Sequence, residues 1–139
     1  MRLEVGSPFY SLLAAGASVP IGQRGLVHVW GRNDMVATQQ MGIDWEVRDP
    51  DGMVVERYTT WEAWPYTSPG SEHEFIGGRF DLNKPGNWMI SIELLMNPDS
   101  PVMVDSYDGV LCAVVEEFAG TITRKELEYD SVRGDIPVY

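Results

Sequence analysis

The side chains best suited to acid-base catalysis in this sequence are its two histidines, His28 and His73. A serine or cysteine nucleophile needs such a base within hydrogen-bond reach. His28 lies between Val27 and Val29 in an apolar run that predicts a strand, and the chain contains no Gly-x-Ser-x-Gly nucleophile elbow. We therefore expect a protein that is not an enzyme, and no catalytic residue is predicted.

Clustered acidic residues raise the possibility of metal binding. In the stretch Glu72-His73-Glu74, neighbours on a strand point to opposite faces, so only the two glutamates could converge. We expect this stretch to be an exposed strand end rather than a metal site. Carboxylates in loops can also bind calcium. Five aspartates lie in predicted loops: Asp49, Asp51, Asp99, Asp105 and Asp108. None has EF-hand spacing, so no metal and no cofactor is predicted, and calcium stays an open alternative.

Cys112 is the only cysteine of the chain. A single cysteine excludes an intrachain disulfide and a cysteine-based zinc site. It lies within the apolar run 110–115, where a free cysteine usually acts as a small buried apolar side chain. We expect it to be buried rather than reactive.

An aromatic cluster, Trp61, Trp64 and Tyr66, lies within six residues in a stretch rich in turn formers. Exposed aromatic groups of this density mark protein interfaces or ligand platforms. The alternative is a hydrophobic lid that folds onto the core. The sequence does not decide between the two, and the three residues are predicted interaction residues.

The C-terminal segment, residues 119–139, supplies the second set of predicted interaction residues: Arg124, Lys125, Leu127 and Tyr129. Its local positive charge stands out in a protein of net charge −11. An extended segment of this kind can add a strand to a neighbouring chain. It could also form an edge strand of its own domain, over 121–129.

The overall charge limits the possible partners. The chain has 10 basic and 21 acidic residues, a balance that repels nucleic-acid phosphates and anionic membranes. No stretch reaches the ~20 apolar residues of a membrane span, and the N-terminal residues make a poor signal peptide. We expect no nucleic acid and no membrane as partner, but a protein partner or a homo-oligomer.

The central predicted element is a hairpin over residues 42–58. Ile43, Trp45 and Val47 alternate with charged residues, which predicts a strand with one buried face. Asp-Pro-Asp-Gly at 49–52 predicts a tight turn, and a β-branched run follows it. Trp45 is therefore the expected centre of the core.

Short strands separated by turn signals recur every 8 to 12 residues, and no segment of useful length has helical periodicity. This pattern is typical of an antiparallel sandwich. We predict a single all-β domain over 1–118 with seven to nine strands, followed by an edge strand or tail over 119–139. The predicted core residues are Val29, Trp45, Val47, Trp88, Ile90, Ile92, Leu111 and Ala113. Predicted strands include 72–80, 87–96 and 110–118, with a turn at 107–109.

The phrase from Trp45 through Gly52, followed by Val54-Val55, resembles a hairpin of immunoglobulin-like accessory domains from bacteria and phages. Trp88 then stands at the corner-tyrosine position of that fold, and Ile90 stands where antibody domains have their second cysteine. The resemblance covers about residues 20–118 and implies a sandwich without a disulfide.

From these observations we expect a non-catalytic structural or interaction protein, such as a subunit of a phage particle or another repeated extracellular assembly. A carbohydrate-binding module is the alternative, with Trp61, Trp64 and Tyr66 stacking on sugar rings. An enzyme that uses a pair of carboxylates is a third hypothesis, although no pair among the 21 acidic residues is singled out.

Overall fold

The computed structural model describes residues 1–6, 11–116, 120 and 122–128. Within these residues, ten strands occur in chain order. They are β1 (Arg2–Val5), β2 (Ser11–Ala14), β3 (Ala17–Pro20), β4 (Arg24–Arg32), β5 (Met41–Arg48), β6 (Val54–Trp61), β7 (Glu72–Ile76), β8 (Phe80–Asp81), β9 (Gly86–Met96) and β10 (Val102–Val115). Among these described residues, no helix is long and apolar enough to cross a membrane.

The strands form two sheets that pack as an immunoglobulin-like sandwich, which confirms the predicted fold class. The first sheet has the order β2-β1-β4-β7, with β8 also paired to β4, and the second has the order β3-β10-β9-β5-β6. All pairings are antiparallel except that of β3 with β10. The strand number exceeds the predicted seven to nine, because the first 20 residues form three short strands and the stretch Gly77-Gly78 divides the predicted strand 72–80 into β7 and β8.

The central hairpin forms as predicted. Trp45 on β5 lies opposite Tyr58 on β6, and their ring centroids are 4.5 Å apart. In the turn, Gly52 has a φ of +83°, which favours glycine, and its N–H donates to the carbonyl oxygen of Asp49. Oδ1 of Asp49 accepts the N–H groups of Asp51 and Met53 at 2.9 and 3.0 Å, so the side chain stabilises the turn.

The core lies between the sheets and centres on Trp45 and Trp88, which are 1% and 0% exposed. Seven of the eight predicted core residues are buried. The prediction for Ala113 is wrong, because it is only half-buried whereas Leu111 and Cys112 are both fully buried. The strand register shifts between Val110 and Cys112, and such a bulge lets two consecutive side chains face inward.

Trp88 makes a corner contact of the kind that its position implies. Its Nε1 donates to the carbonyl oxygen of Lys84, 3.0 Å away and four residues upstream. The hydroxyl of a corner tyrosine bonds back to upstream backbone in the same way. The indole therefore replaces the phenol and fixes the turn that leads into β9.

The last strand is longer than predicted. The predicted turn at 107–109 is wrong, since β10 runs without interruption from Val102 to Val115 and pairs with β9 along most of its length. Gly109 is accommodated within the strand because the Tyr107 side chain, two residues away on the same face, covers it; a Cβ built on Gly109 would lie 2.9 Å from the phenol oxygen.

The C-terminal segment leaves β10 beside β3. Gly120 is held there by Ser18, whose Oγ donates to the Gly120 carbonyl at 2.8 Å and accepts its N–H at 3.0 Å. Residues 122–128 are exposed and form no strand, while 121 and 129 lie outside the described residues, so the choice between an edge strand and a tail stays a prediction. The domain boundary at 118/119 lies outside the described residues and stays a prediction.

Candidate functional site

A buried glutamate fixes the loop that follows β6. The Glu62 side chain is 1% exposed, and its Oε1 accepts the backbone N–H of Met41 at 2.9 Å. Thr67 donates to the same carboxylate through its backbone N–H at 3.1 Å and its hydroxyl at 2.9–3.0 Å. His73 Nδ1 lies 3.3 Å from Oε2. A buried carboxylate with this many donors joins both ends of the 62–67 loop to the start of β5.

A buried asparagine joins this loop to the one between β4 and β5. Nδ2 of Asn33, which is 0% exposed, donates to the carbonyl oxygens of Ala37 and Thr67, while its Oδ1 accepts the N–H of Met35. Backbone hydrogen bonds between Gln39 and Thr67 add a second link. The two loops therefore form one braced unit at the end of the sandwich where β5 begins and β9 ends.

The structure separates the members of the predicted aromatic cluster. Trp61 is half-buried on β6 and covers Gly42, its partner on β5, so closely that a Cβ on Gly42 would lie 2.7 Å from the indole. Trp64 is 80% exposed, and Tyr66 is 39% exposed. Trp61 thus packs on its own sheet, and the other two side chains face solvent from the braced loop.

Two further apolar side chains project from the neighbouring loop. Val36 is 97% exposed and Met35 is 52% exposed. The four side chains Met35, Val36, Trp64 and Tyr66 are called the loop surface below. Met35 and Val36 could not be predicted as surface residues, because residues 33–41 are mostly polar and nothing in their order indicates which side chains remain exposed.

The histidines have structural contacts. His28 is 7% exposed on the outer face of the first sheet, with Nε2 3.2 Å from Glu4 on β1 and Nδ1 3.2 Å from Glu74 on β7. It thereby links the strands on either side of β4. The stretch Glu72-His73-Glu74 does not converge, since His73 contacts Glu62 and Glu74 contacts His28. The described part of the chain holds no group of three metal-ligating side chains.

The hairpin carboxylates belong to an ion-pair network. Lys84 Nζ lies 3.0 Å from Asp49 and 2.9 Å from Asp51. Desolvation of the Asp49 carboxylate opposes its ionisation, but hydrogen bonds from Lys84 and from the backbone of Met53 and Asp51 outweigh this effect, so the pKa of Asp49 is lowered. Hydrogen bonds from Lys84 to Asp51 and Asp49 raise the pKa of the ammonium group. Both aspartates therefore have a structural role in holding β9 to the hairpin.

Cys112 is fully buried among core side chains. Desolvation raises the pKa of its thiol to about 12. The thiolate, which is the reactive form, is thus scarce at neutral pH, as the sequence analysis expected.

A groove opens between the two sheets on the side of β10. The part next to Ala15, in the turn between β2 and β3, is called the lower part and is a cleft of about 280 Å³. Ile92 and Leu94 form its floor, and Ser106 lies on its rim. The upper part of the groove, a cleft of about 360 Å³, shares Trp30 and Leu94 with the lower part and extends towards the braced loops. The groove could not be predicted from the sequence. It opens because β1 covers only part of β4 and β3 covers only part of β10.

The C-terminal interaction residues stand apart from the loop surface. Arg124 pairs with Glu126 at 3.4 Å, Lys125 is exposed, and Leu127 is 88% exposed. Tyr129 lies outside the described residues. The described members of this segment do not join the loop surface or line either cleft.

Comparison with known proteins supports the fold. The crystal structure of Bacteroides uniformis β-glucuronidase is similar with a TM-score of 0.50 and 13% identity over 78% of this chain, which spans only 12% of the glucuronidase. The C-terminal domain of Wzt is similar with a TM-score of 0.51 and 11% identity, covering 91% of this chain and 81% of that one. No family model matches the chain, and no curated protein matches its sequence. At these identities the similarity establishes a β-sandwich fold.

Proposed function

We propose that this chain is a non-catalytic structural or interaction protein of the immunoglobulin-like accessory type, and that it acts as a subunit of a phage particle or another repeated extracellular assembly. The observation that carries the proposal is the loop surface, an exposed apolar group held on two braced loops. The hairpin phrase from Trp45 to Val55 supports the accessory-domain type.

The exposure of the loop surface is costly unless a partner covers it. Val36 is 97% exposed and Trp64 is 80% exposed. Tryptophan and tyrosine are the residues that most often dominate the binding energy of interfaces. Removing such side chains from water favours association by roughly 1.5–3 kcal/mol for each large apolar group.

The rigidity of the loops strengthens the case for a protein interface. Glu62 and Asn33 are fully hydrogen-bonded, so the backbone that presents Trp64 and Tyr66 is already ordered before binding. A preordered surface loses less conformational entropy on association than a flexible loop does. This arrangement is typical of binding loops positioned by a rigid sandwich.

The test compares association of the full chain with that of single variants. Light scattering across a range of concentrations should show a self-associating wild type, and Trp64→Ala and Val36→Asp should shift association to higher concentration. Met53→Ala is the matched control, because Met53 is 63% exposed in the turn at the other end of the hairpin. A wild type that stays monomeric at every concentration would contradict the proposal of a repeated assembly.

A carbohydrate-binding module is the second candidate, favoured by the exposed indole of Trp64. The structure leaves two exposed aromatic side chains in this cluster, since Trp61 packs on Gly42. A glycan array with wild type and Trp64→Ala separates the candidates. Glycan binding that Trp64→Ala abolishes, with no concentration-dependent association, would replace the assembly proposal.

A further inference from the structure

Two strand edges face each other across the groove between the sheets. On β4, strands β1 and β8 pair with Arg24–His28, and β7 pairs with His28–Arg32. Within the described residues, Val29–Arg32 therefore has no strand partner on the β1 side, where Met1 and Ala15 line the cleft. On β10, β3 pairs only with Cys112–Val115, so within the described residues nothing pairs with Val102–Val110 on that side. Unpaired edges of this kind are templates for an added strand.

The groove between these edges has an apolar floor and a defined end. Val29, Ile43, Ile92 and Leu94 line its depth, and Asp105–Tyr107 form one rim. The turn between β2 and β3 closes the lower end, where the N–H of Gly16 donates to the carbonyl oxygen of Leu111 at 2.8 Å. The open edge of Val102–Val110 spans about 30 Å at ~3.3 Å per residue.

The C-terminal segment has the length and pattern of an occupant. Residues 130–139 would extend to about 33 Å at the same rise per residue. Within them Val132, Ile136 and Val138 share one parity with Gly134, and this period-two spacing places the apolar side chains on one face of a strand. Such a face suits the apolar floor of the groove.

The described part of the segment indicates that the occupant comes from a second copy. After Gly120, residues 122–128 are all exposed, and none of them lines the groove of its own domain. The described residues 122–128 thus leave the groove of their own domain open. We infer that residues 130–139 of one copy insert as an added strand into the groove between β4 and β10 of a second copy.

This contact is heterologous, because a tail on one copy meets a groove on the next. A heterologous contact repeats and builds rings or filaments unless its symmetry closes it. Backbone hydrogen bonds to both edges would supply affinity, and the side chains that enter the apolar floor would set the register. The groove borders the loop surface at Met35, but Val36, Trp64 and Tyr66 do not line it.

The test crosslinks two full-chain variants, Ser106→Cys on the groove rim and Val138→Cys in the tail. They are mixed, one of them isotope-labelled, and treated with a short bis-maleimide. The native Cys112 is buried and contributes little background. Insertion predicts a mixed-label dimer joined between positions 106 and 138, identified by mass spectrometry. Met53→Cys mixed with Val138→Cys is the control, because Met53 is also exposed but lies at the hairpin turn.

Three outcomes would overturn the inference. Equal crosslinking of the control pair would mean random collision. Crosslinking only within single chains of a Ser106→Cys, Val138→Cys double variant would mean that the segment occupies its own groove. A mixed-label crosslink between positions 106 and 138 that forms to the same extent when the tail carries Ile136→Asp would mean that the apolar face of the tail does not enter the groove. Trp64→Ala should leave the mixed-label crosslink intact, so failure of the loop-surface proposal and failure of this one are distinguishable.

Discussion

Replacement of Glu62 by alanine should destabilise the domain strongly and loosen the loop surface. The backbone N–H of Met41 and the hydroxyl of Thr67 would lose their acceptor in a buried site, whereas the Thr67 N–H keeps the Gln39 carbonyl at 3.0 Å. A buried donor left without a partner costs about 1–3 kcal/mol. Two such donors predict a loss of about 2–6 kcal/mol in the free energy of unfolding.

The variant Glu62→Gln separates the contribution of the hydrogen bonds to stability from that of the negative charge. Its amide oxygen can still accept from Met41, so Glu62→Gln should lose only about 1 kcal/mol, the difference between a charged and a neutral acceptor. Urea unfolding followed by tryptophan fluorescence measures both variants. Glu72→Ala is the matched control, because Glu72 is an exposed glutamate on β7 close to the same loop.

Hydrogen exchange gives a local readout of the same change. In Glu62→Ala the Met41 amide should exchange faster, through local opening of the loop junction. Ordinary surface substitutions change the free energy of unfolding by up to about 0.5 kcal/mol. If Glu62→Ala causes no larger change and the Met41 amide stays protected, the bracing role assigned to Glu62 is wrong. Association through the loop surface should also weaken in Glu62→Ala, although Trp64 is still present.

Three other properties can be checked on the same protein. Trp45→Ala should lower the free energy of unfolding by about 3–5 kcal/mol because the indole fills the centre of the core, and a loss below 1 kcal/mol in urea titration would contradict that position. The lowered pKa of Asp49 stabilises the fold above the ordinary carboxyl value of 3.8, and this contribution is lost as pH falls through the folded-state pKa. The gap in urea midpoint between wild type and Asp49→Asn should therefore be present at pH 7 and close below pH 3.8; a constant gap would exclude the linkage. Cys112, with a thiol pKa of about 12, should react with a chromogenic disulfide reagent only after unfolding, and rapid reaction in native buffer would show that the core opens.

The sequence was sufficient to predict the strands whose apolar residues alternate. The Ile43-Trp45-Val47 alternation, the Asp-Pro-Asp-Gly turn and the alternation from Trp88 to Ile92 are local signals that the structure confirms. They are reliable because a strand with one buried face must repeat every two residues and a tight turn needs particular backbone angles. The burial of Cys112 followed from its apolar neighbours in the same way.

Local pattern was misleading where pairing overrides it. Tyr107-Asp108-Gly109 has the composition of a turn, yet the pairing of β10 with β9 keeps it extended and the Tyr107 ring covers the glycine. Because of the bulge between Val110 and Cys112, Leu111 and Cys112 both face the core, and Ala113, which the alternation placed in the core, does not. A bulge depends on the partner strand, so the alternation of one strand cannot reveal it.

The candidate site depended most on tertiary structure. Trp61 and Trp64 are three residues apart and have the same side chain. Only Trp61 lies opposite Gly42, and its ring packs on the backbone there. Glu62 looks like any surface glutamate in the sequence, and its burial requires donors that come from positions 21 and 5 residues away. The sequence alone therefore determined the strands whose apolar residues alternate regularly, and which face of those strands is apolar. Strand pairing and the length of each sheet edge depend on residues that are distant in the sequence and meet only in the folded chain. The tertiary structure therefore decided which side chains are exposed, which loops are braced and where the groove opens.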